Sequence, residues 1–336
     1  MPKQPMRCKA AIVGIPGPTL NQPTAEMLRR EQPAGVILFG RNVQDRAQLR
    51  TLTSALRHVL SPGAVLMIDQ EGGRVARLRP PHWRAHPAAG VIGDLHARKP
   101  KAGLRAAWLT GALIGLDCAE MGLDVACAPV LDRRLPDYAD VIGDRGFSAD
   151  PEAVAVLGRA TADGLLAAGI QPVIKHLPGH GRARVDSHFS LPTVSDNTDA
   201  DLVPFAANAE LPWAMTAHIV YPAWDALRPA TLSPAVVTQI IRGTIGFQGV
   251  LVSDDLAMHA LSGTPADRVS AALAAGCDIA LYCPGDFDGT RNALEGCAKL
   301  SDRAVQYLAA ARKMAQQHLK TWDADDLAAE RDTLLR

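Results

Sequence analysis

GVILFGRNVQDRAQLRTLTSALRHVLSPGAVLMID, residues 35–69, holds two short apolar runs separated by one segment of helical character. GVILF and AVLMID lack polar alternation and are rich in β-forming residues, which marks buried strands. Between them Asp45 can cap a helix through the Leu49, Leu52 and Leu56 region, with Arg and Gln on its wetter face. Strand, helix and strand in this order form a βα repeat.

Six more runs extend the repeat in both directions: AAIVGI from Ala10, LDVACA from Leu123, IQPVIKH from Ile170, WAMTAH from Trp213, GVLVSDD from Gly249 and DIALYC from Asp278. Continuous apolar strands are what a parallel sheet covered on both faces requires, and a (β/α) barrel closes at eight of them. The intervening helices carry their own signals. Asp150, Pro151 and Glu152 open a helix expected to run to about Ala168 before Gly169 stops it, and Ser233–Pro234 opens another that ends near Gly243. From Ser301 the chain reads as helical and solvated, with a helical C-terminal tail from about residue 322 that braces the barrel. No low-complexity tract or Ser/Gly linker interrupts the rhythm, so residues 1–336 are expected to form a single (β/α)8 TIM-like barrel domain with long βα loops. An open doubly wound sheet would carry G-x-G-x-x-G after its first strand. GIPGPT stands there instead, and Gly14 and Gly17 read as a tight turn.

Composition narrows the function. The 336 residues include 35 Lys plus Arg against 35 Asp plus Glu, which leaves no excess positive charge to hold a phosphate backbone. Aromatics at 4% offer little for an extended stacking platform. The six cysteines form no C-x-x-C pair and read as buried, reduced thiols. MPKQPMRCKAAIVGIPG has too short an apolar stretch for a signal-peptide core, and no long uncharged apolar segment could span a bilayer. The expectation is a cytoplasmic, monomeric enzyme with no nucleic-acid or membrane partner.

In a barrel the carboxyl ends of the strands open into the active site, so polar residues ending apolar runs carry the most weight. The third run ends in Asp69, a ligand-facing acceptor, followed by Gln70, Glu71, Arg74 and Arg77. Glu71 and Arg74 are read as pairing with each other or capping the next segment, whereas Arg77 is balanced between a surface ion pair and a grip on carboxylate or sugar oxygens. The connection after the fourth run exceeds 20 residues, and Arg145 between Gly143 and Gly146 is its best polar candidate, with Asp144 or Asp132 as alternative structural partners. IKHLPGHGRARVDSHFS then packs Lys175, His176, His180, Arg182, Arg184, Asp186 and His188 into 14 residues. Lys175 and His176 share a ligand only if the strand bends or ends between them, which Pro178 makes reasonable. His180 can bond loop backbone or ligand. Asp186 and His188 can form a carboxylate–imidazole pair in which the acid fixes the tautomer and raises the ring's basicity. Asp254 and Asp255 end the seventh run and must diverge, one entering the mouth as nucleophile or base, the other capping a helix or bonding loop amides. His218 ends the sixth run, where a structural bond competes with ligand contact, and Met258 reads as ordinary packing.

A metal-dependent hydrolase is weakened by the lack of H-x-H or H-E-x-x-H spacing and by the lysine beside His176, so no metal and no cofactor are expected. A phosphate-binding isomerase would want glycine-rich donors where Asp254, Asp255 and Asp286 stand. A non-enzymatic sugar-binding barrel would leave these strand-end groups without a proton-transfer role.

GVILFGRN at 35–42, IDQEGGRVARL at 68–78, VIGDRGF at 141–147, KHLPGHG at 175–181, DSH at 186–188, MTAHIVYP at 215–222 and SDDLAM at 253–258 resemble, in order, the motifs of the family 3 glycoside hydrolases. The likeness is strongest to the bacterial β-N-acetylglucosaminidases of cell-wall recycling. HWRAHPAAG at 82–90 departs from the pattern. The resemblance implies Asp254 as nucleophile, His188 as general acid/base and Asp186 as its partner. It also implies Asp69, Arg77, Arg145, Lys175 and His176 as the grip on a terminal N-acetylglucosamine. By the same likeness the substrate is a 1,6-anhydromuropeptide in the cytoplasm, hydrolysed with retention, and the second sandwich domain of larger relatives is not expected. Some members of the family act as phosphorylases or accept glucose, so both alternatives stay open.

Overall fold

The computed structural model describes residues 8–135, 138, 140–187, 190–195 and 198–336. All eight apolar runs form strands, and those strands close a parallel barrel. In chain order they are β1 (Lys9–Gly14), β2 (Pro33–Leu38), β3 (Val65–Ile68), β4 (Val125–Ala126), β5 (Gln171–Leu177), β6 (Trp213–Thr216), β9 (Val250–Asp255) and β10 (Ile279–Tyr282). Neighbours around the barrel run β1, β10, β9, β6, β5, β4, β3, β2, and closure comes from Ala11 beside Ala280 and Ile12 beside Gly35. Strand side chains are buried on both faces, toward the barrel axis and toward the helices, which is why the runs carry no polar alternation.

Local signals set the helices. Asp45 accepts from the Gln48 amide at 2.9 Å and opens α2 (Arg46–Val59), which buries Leu49, Leu52 and Leu56. Asp150 caps α5 (Pro151–Ala167) in the same way, and Gly169 follows with a φ of +79°. α5 packs against α4 (Pro100–Glu120) at close range: a Cβ on Gly111 or Gly164 would collide with the carbonyls of Thr161 and Trp108 across the contact. The helix expected from Pro234 instead winds with π-type bonding over Val236–Thr244.

Two features depart from the sequence reading. A two-stranded antiparallel sheet, β7 (Val220–Tyr221) with β8 (Asp225–Pro229), sits in the connection after β6. Its strands are too short to show a period, and β8 is mostly exposed, with Leu227 at 87%. The C-terminal tail is also less solvated than expected. After α9 (Asp302–His318), α10 (Ala324–Leu335) sets Leu327 against Leu109, Ala112 and Leu113 of α4, and Trp322 meets Trp108 edge to face at 5.0 Å. The apolar outer face of α4 requires that cover.

Arg331 of α10 is buried and donates to His86 Nδ1 at 3.1 Å. A guanidinium only donates, so Nδ1 accepts and the ring proton lies on Nε2, which donates to Asp117 at 3.0 Å. Burial holds His86 below its ordinary range, in keeping with this neutral tautomer. The His86 carbonyl in turn receives the Gly73 amide at 2.9 Å, so the C-terminal helix braces the connection that follows β3. Among the described residues no helix is long and apolar enough to cross a membrane.

Candidate active site

A cavity at the carboxyl ends of the barrel strands is lined by Asp69, Arg77, Arg145, Lys175, His176 and Asp254, six of the eight site residues that the family resemblance implies. β3 delivers Asp69 one residue past its last bond. β5 delivers Lys175 and His176, and β9 delivers Asp254. Lys175 Nζ lies 2.8 Å from Asp69 and 2.6 Å from Glu71. Arg77 Nη2 donates to the other Asp69 oxygen at 2.6 Å, and Arg145 grips Glu71 through Nε and Nη2 at 2.8 Å each. Two carboxylates and three cations thus interlock in one network.

Glu71 therefore pairs with Arg145 and Lys175, not with Arg74, and Arg74 instead reaches Asp140 at 3.0 Å and Asp144 at 3.3 Å. Arg145 pairs with neither Asp144 nor Asp132. The sequence put Glu71 two residues past a strand-end acid, and only the fold shows that the 74-residue step to Arg145 closes in space.

Burial alone would raise the Asp69 and Glu71 carboxyls. The ammonium of Lys175, joined by Arg77 at Asp69 and by Arg145 at Glu71, outweighs burial and holds both below the usual carboxylate range, Asp69 well below it. Asp132 is depressed likewise, its burial overcome by His176 and His180. In each case the native state binds its proton less readily than the unfolded chain. The resulting stability is fully present above the unfolded carboxyl values near pH ~4 and is lost as pH falls through the native ones. Denaturation in urea, followed by circular dichroism, is expected to give a midpoint that drops steadily below about pH 4. A midpoint that stays flat down to about pH 3 would contradict the depressed values.

Alternation along β5 breaks where the sequence required it to. The register against β6 shifts between Lys175 and Leu177, the Lys175–His176 peptide is cis, and both side chains line the cavity. His176 Nδ1 donates to Asp132 at 2.6 Å, which leaves Nε2 as the ring atom available to a ligand. Asp132 also accepts the His176 amide at 3.2 Å and the His180 amide at 2.6 Å. This acid, 1% exposed, fixes the turn after β5 and was weighed in the sequence only as an alternative partner for Arg145. His180 bonds the Ser187 hydroxyl at 3.0 Å rather than loop backbone. Burial and the neighbouring His176 push it down to about 4, so it is neutral at physiological pH.

The two acids of β9 diverge. Asp255 accepts the Ala257 and Cys283 amides at 3.0 Å each, and its carbonyl takes the His218 Nε2 proton at 3.0 Å. Burial, with Asp254 alongside, raises the Asp255 carboxyl. Asp254 accepts the Asp255 amide at 2.8 Å and faces the cavity. His218 is structural, also bonded to Thr231 at 2.8 Å. Met258 is 5% exposed and forms part of the cavity wall.

Asp186 lies on the loop after β5, where its carbonyl accepts the Ser190 amide at 3.1 Å, and Ser187 lines the cavity. His188 lies outside the described residues. Phe39, Cys127 and Cys283 also line the cavity and had no sequence signal beyond lying at or near the ends of apolar runs. Burial raises both thiols far above their ordinary range, so they are protonated wall atoms. Among the described residues no group of three or more His, Cys, Asp or Glu side chains is disposed to hold a metal ion.

The chain matches the model of the glycosyl hydrolase family 3 N-terminal domain over residues 6–314. A β-hexosaminidase of Bordetella avium is 39% identical over 282 residues, 81% of this chain and 79% of the relative. One from Alkalilimnicola ehrlichii is 40% identical over 280 residues, 81% of this chain and 80% of that protein. Among solved structures, NagZ from Neisseria gonorrhoeae in complex with N-trifluoroacetyl-D-glucosamine superposes with a TM-score of 0.85 at 31% identity, covering 98% of each chain. With the family model spanning most of the sequence and these relatives aligned across four-fifths of it or more, the chain belongs to glycosyl hydrolase family 3.

Proposed function

We infer that this enzyme removes terminal β-linked N-acetylglucosamine from 1,6-anhydromuropeptides in the cytoplasm by a retaining, two-step mechanism. Its broad activity, that of a β-N-acetylhexosaminidase of the NagZ type acting on N-acetylglucosamine-containing substrates, rests on its family and relatives. The observation that carries the finer reading is the convergence of Asp254 with Asp69, Arg77, Arg145, Lys175 and His176 around one cavity.

In the first step an Asp254 oxygen attacks the anomeric carbon. The bond to the leaving oxygen breaks as that oxygen takes the proton of His188, giving a covalent glycosyl-enzyme. In the second step water attacks the same carbon, neutral His188 takes the water's proton, and Asp254 departs as carboxylate. Asp186 holds the imidazole in the tautomer both steps require. Asp69, Arg77, Arg145, Lys175 and His176 bind the sugar hydroxyls and the acetamide through contacts that tighten as charge develops on the ring. A histidine in place of a second carboxylate avoids repulsion with a leaving group that carries anions.

Matched aryl β-glycosides of N-acetylglucosamine and glucose, assayed with and without phosphate, test the reading. Free N-acetylglucosamine, released first as the β-anomer at a rate indifferent to phosphate, is the expected result. A sugar 1-phosphate whose yield grows with phosphate, or a preference for the glucoside, would overturn it in favour of phosphorolysis or β-glucosidase activity.

A further inference from the structure

The loops after β4 and β5 bring three guanidinium groups together on one side of the mouth. Arg133 and Arg182 share one buried carboxylate, Asp201, at 2.9 and 2.6 Å. Arg184 has no carboxylate partner among the described residues; its guanidinium sits exposed over the Tyr138 ring, 5.1 Å from the centroid. Arg182 also reaches the Tyr138 hydroxyl at 3.4 Å, so the ring is held from two sides. An arginine seated on an aromatic face keeps its donors directed while losing little further freedom when it binds.

This platform is close to the reacting centre. Ser187, three residues beyond Arg184, and Val141, three residues beyond Tyr138, both line the cavity. Three residues span at most about 10 Å of chain, which the second sugar of a disaccharide and its substituents can reach. The sugar-binding acids, by contrast, are already neutralised by Lys175, Arg77 and Arg145 inside the cavity. Arg184 is not so paired among the described residues.

We propose that Arg184, seated on Tyr138, is a specificity-determining residue that reads a carboxylate on the leaving group. The inference rests on the anhydromuropeptide reading, because it takes the leaving group to depart past the loop that carries His188. Two carboxylates have the right chemistry: the lactyl acid of the anhydro sugar and the acids of its peptide stem. Arg184 binds either through its two-pronged face, raising kcat/KM through KM.

The experiment compares N-acetylglucosaminyl-β-1,4-anhydro-N-acetylmuramic acid, its lactyl methyl ester, and the same disaccharide bearing a peptide stem. Wild-type enzyme is expected to prefer the acid over the ester by about fivefold at low salt, with the preference shrinking as salt rises. In Arg184→Gln the ratio should fall to near one, and Arg184→Lys should retain part of it. Because the stem is amide-linked through the lactyl carboxyl, loss of preference with the peptide-free acid assigns the lactyl carboxylate as an anion read, and loss with the peptide-bearing substrate assigns an acid of the stem. A ratio unchanged in Arg184→Gln for both acids overturns the proposal while leaving the functional reading intact. Failure of the wild type to hydrolyse any of the three overturns both.

Discussion

Asp254→Ala is expected to reduce turnover of an aryl N-acetyl-β-glucosaminide by roughly 10⁴-fold or more, the scale on which removal of a covalent nucleophile acts. The neighbouring carboxylates among the described residues are held by other partners. Asp255 commits one carboxylate oxygen to two amides and its carbonyl to His218. Asp69 is held by Lys175 and Arg77. Among the described residues lining the cavity, both remaining carboxylates are thus anchored away from the role of Asp254, and the loss should appear in kcat with little change in KM. Because the Asp255 amide loses only a side-chain acceptor, the variant should keep its fold and its affinity for a sugar analogue. Azide gives the diagnostic outcome. It should restore reaction by occupying the vacated space and should deliver the α-glycosyl azide, the inverted product. Full activity in Asp254→Ala, or a β-azide from it, would remove Asp254 from the nucleophile role.

His188→Ala should lower kcat/KM for a disaccharide by about 10²- to 10⁴-fold, the range for loss of a positioned general acid. An activated aryl leaving group needs little protonation, so its glycosylation step should suffer far less. Deglycosylation still lacks a base, and glycosyl-enzyme should accumulate as a burst followed by slow release. Azide needs no base and should accelerate that second step, here with retention, the opposite outcome from Asp254→Ala. The basic limb of the kcat/KM–pH profile, which reports the free enzyme's acid, should disappear. Equal losses on activated and unactivated substrates would instead make His188 a structural residue. On the proposed mechanism, in which Asp186 fixes the ring, Asp186→Asn should follow the same pattern with a smaller amplitude.

The barrel was legible because a strand buried on both faces leaves an uninterrupted apolar run, and all eight such runs became its staves. The site was legible for the same reason in reverse: Asp69 and Asp254 are polar groups at points where apolar runs stop, which in this architecture can only be the mouth. What escaped were relations between distant segments. Glu71 lies in a stretch that offered Arg74 as an adjacent partner, yet the Lys175 ammonium, 104 positions away, reaches it from β5, two strands around the barrel. Asp132 looked like a loop acid until the fold set it beneath the turn that carries His176 and His180. The β7–β8 pair escaped because strands of two and five residues are set by their neighbours rather than by a period of their own. The C-terminal helix looked solvated because its single buried arginine reads as a surface residue until His86 is found opposite it.

Closure of the barrel through Ala11 and Ala280 has a consequence for biosynthesis. The free edge of β1 emerges early from the ribosome, but its partner β10 is made some 270 residues later. At bacterial-scale elongation rates that interval is on the order of 15 to 50 s. Throughout it, β1 presents unpaired backbone amides and carbonyls beside an apolar face, the kind of surface on which nascent chains aggregate. The barrel therefore cannot close until β10 has been made, whatever the stability of the finished fold.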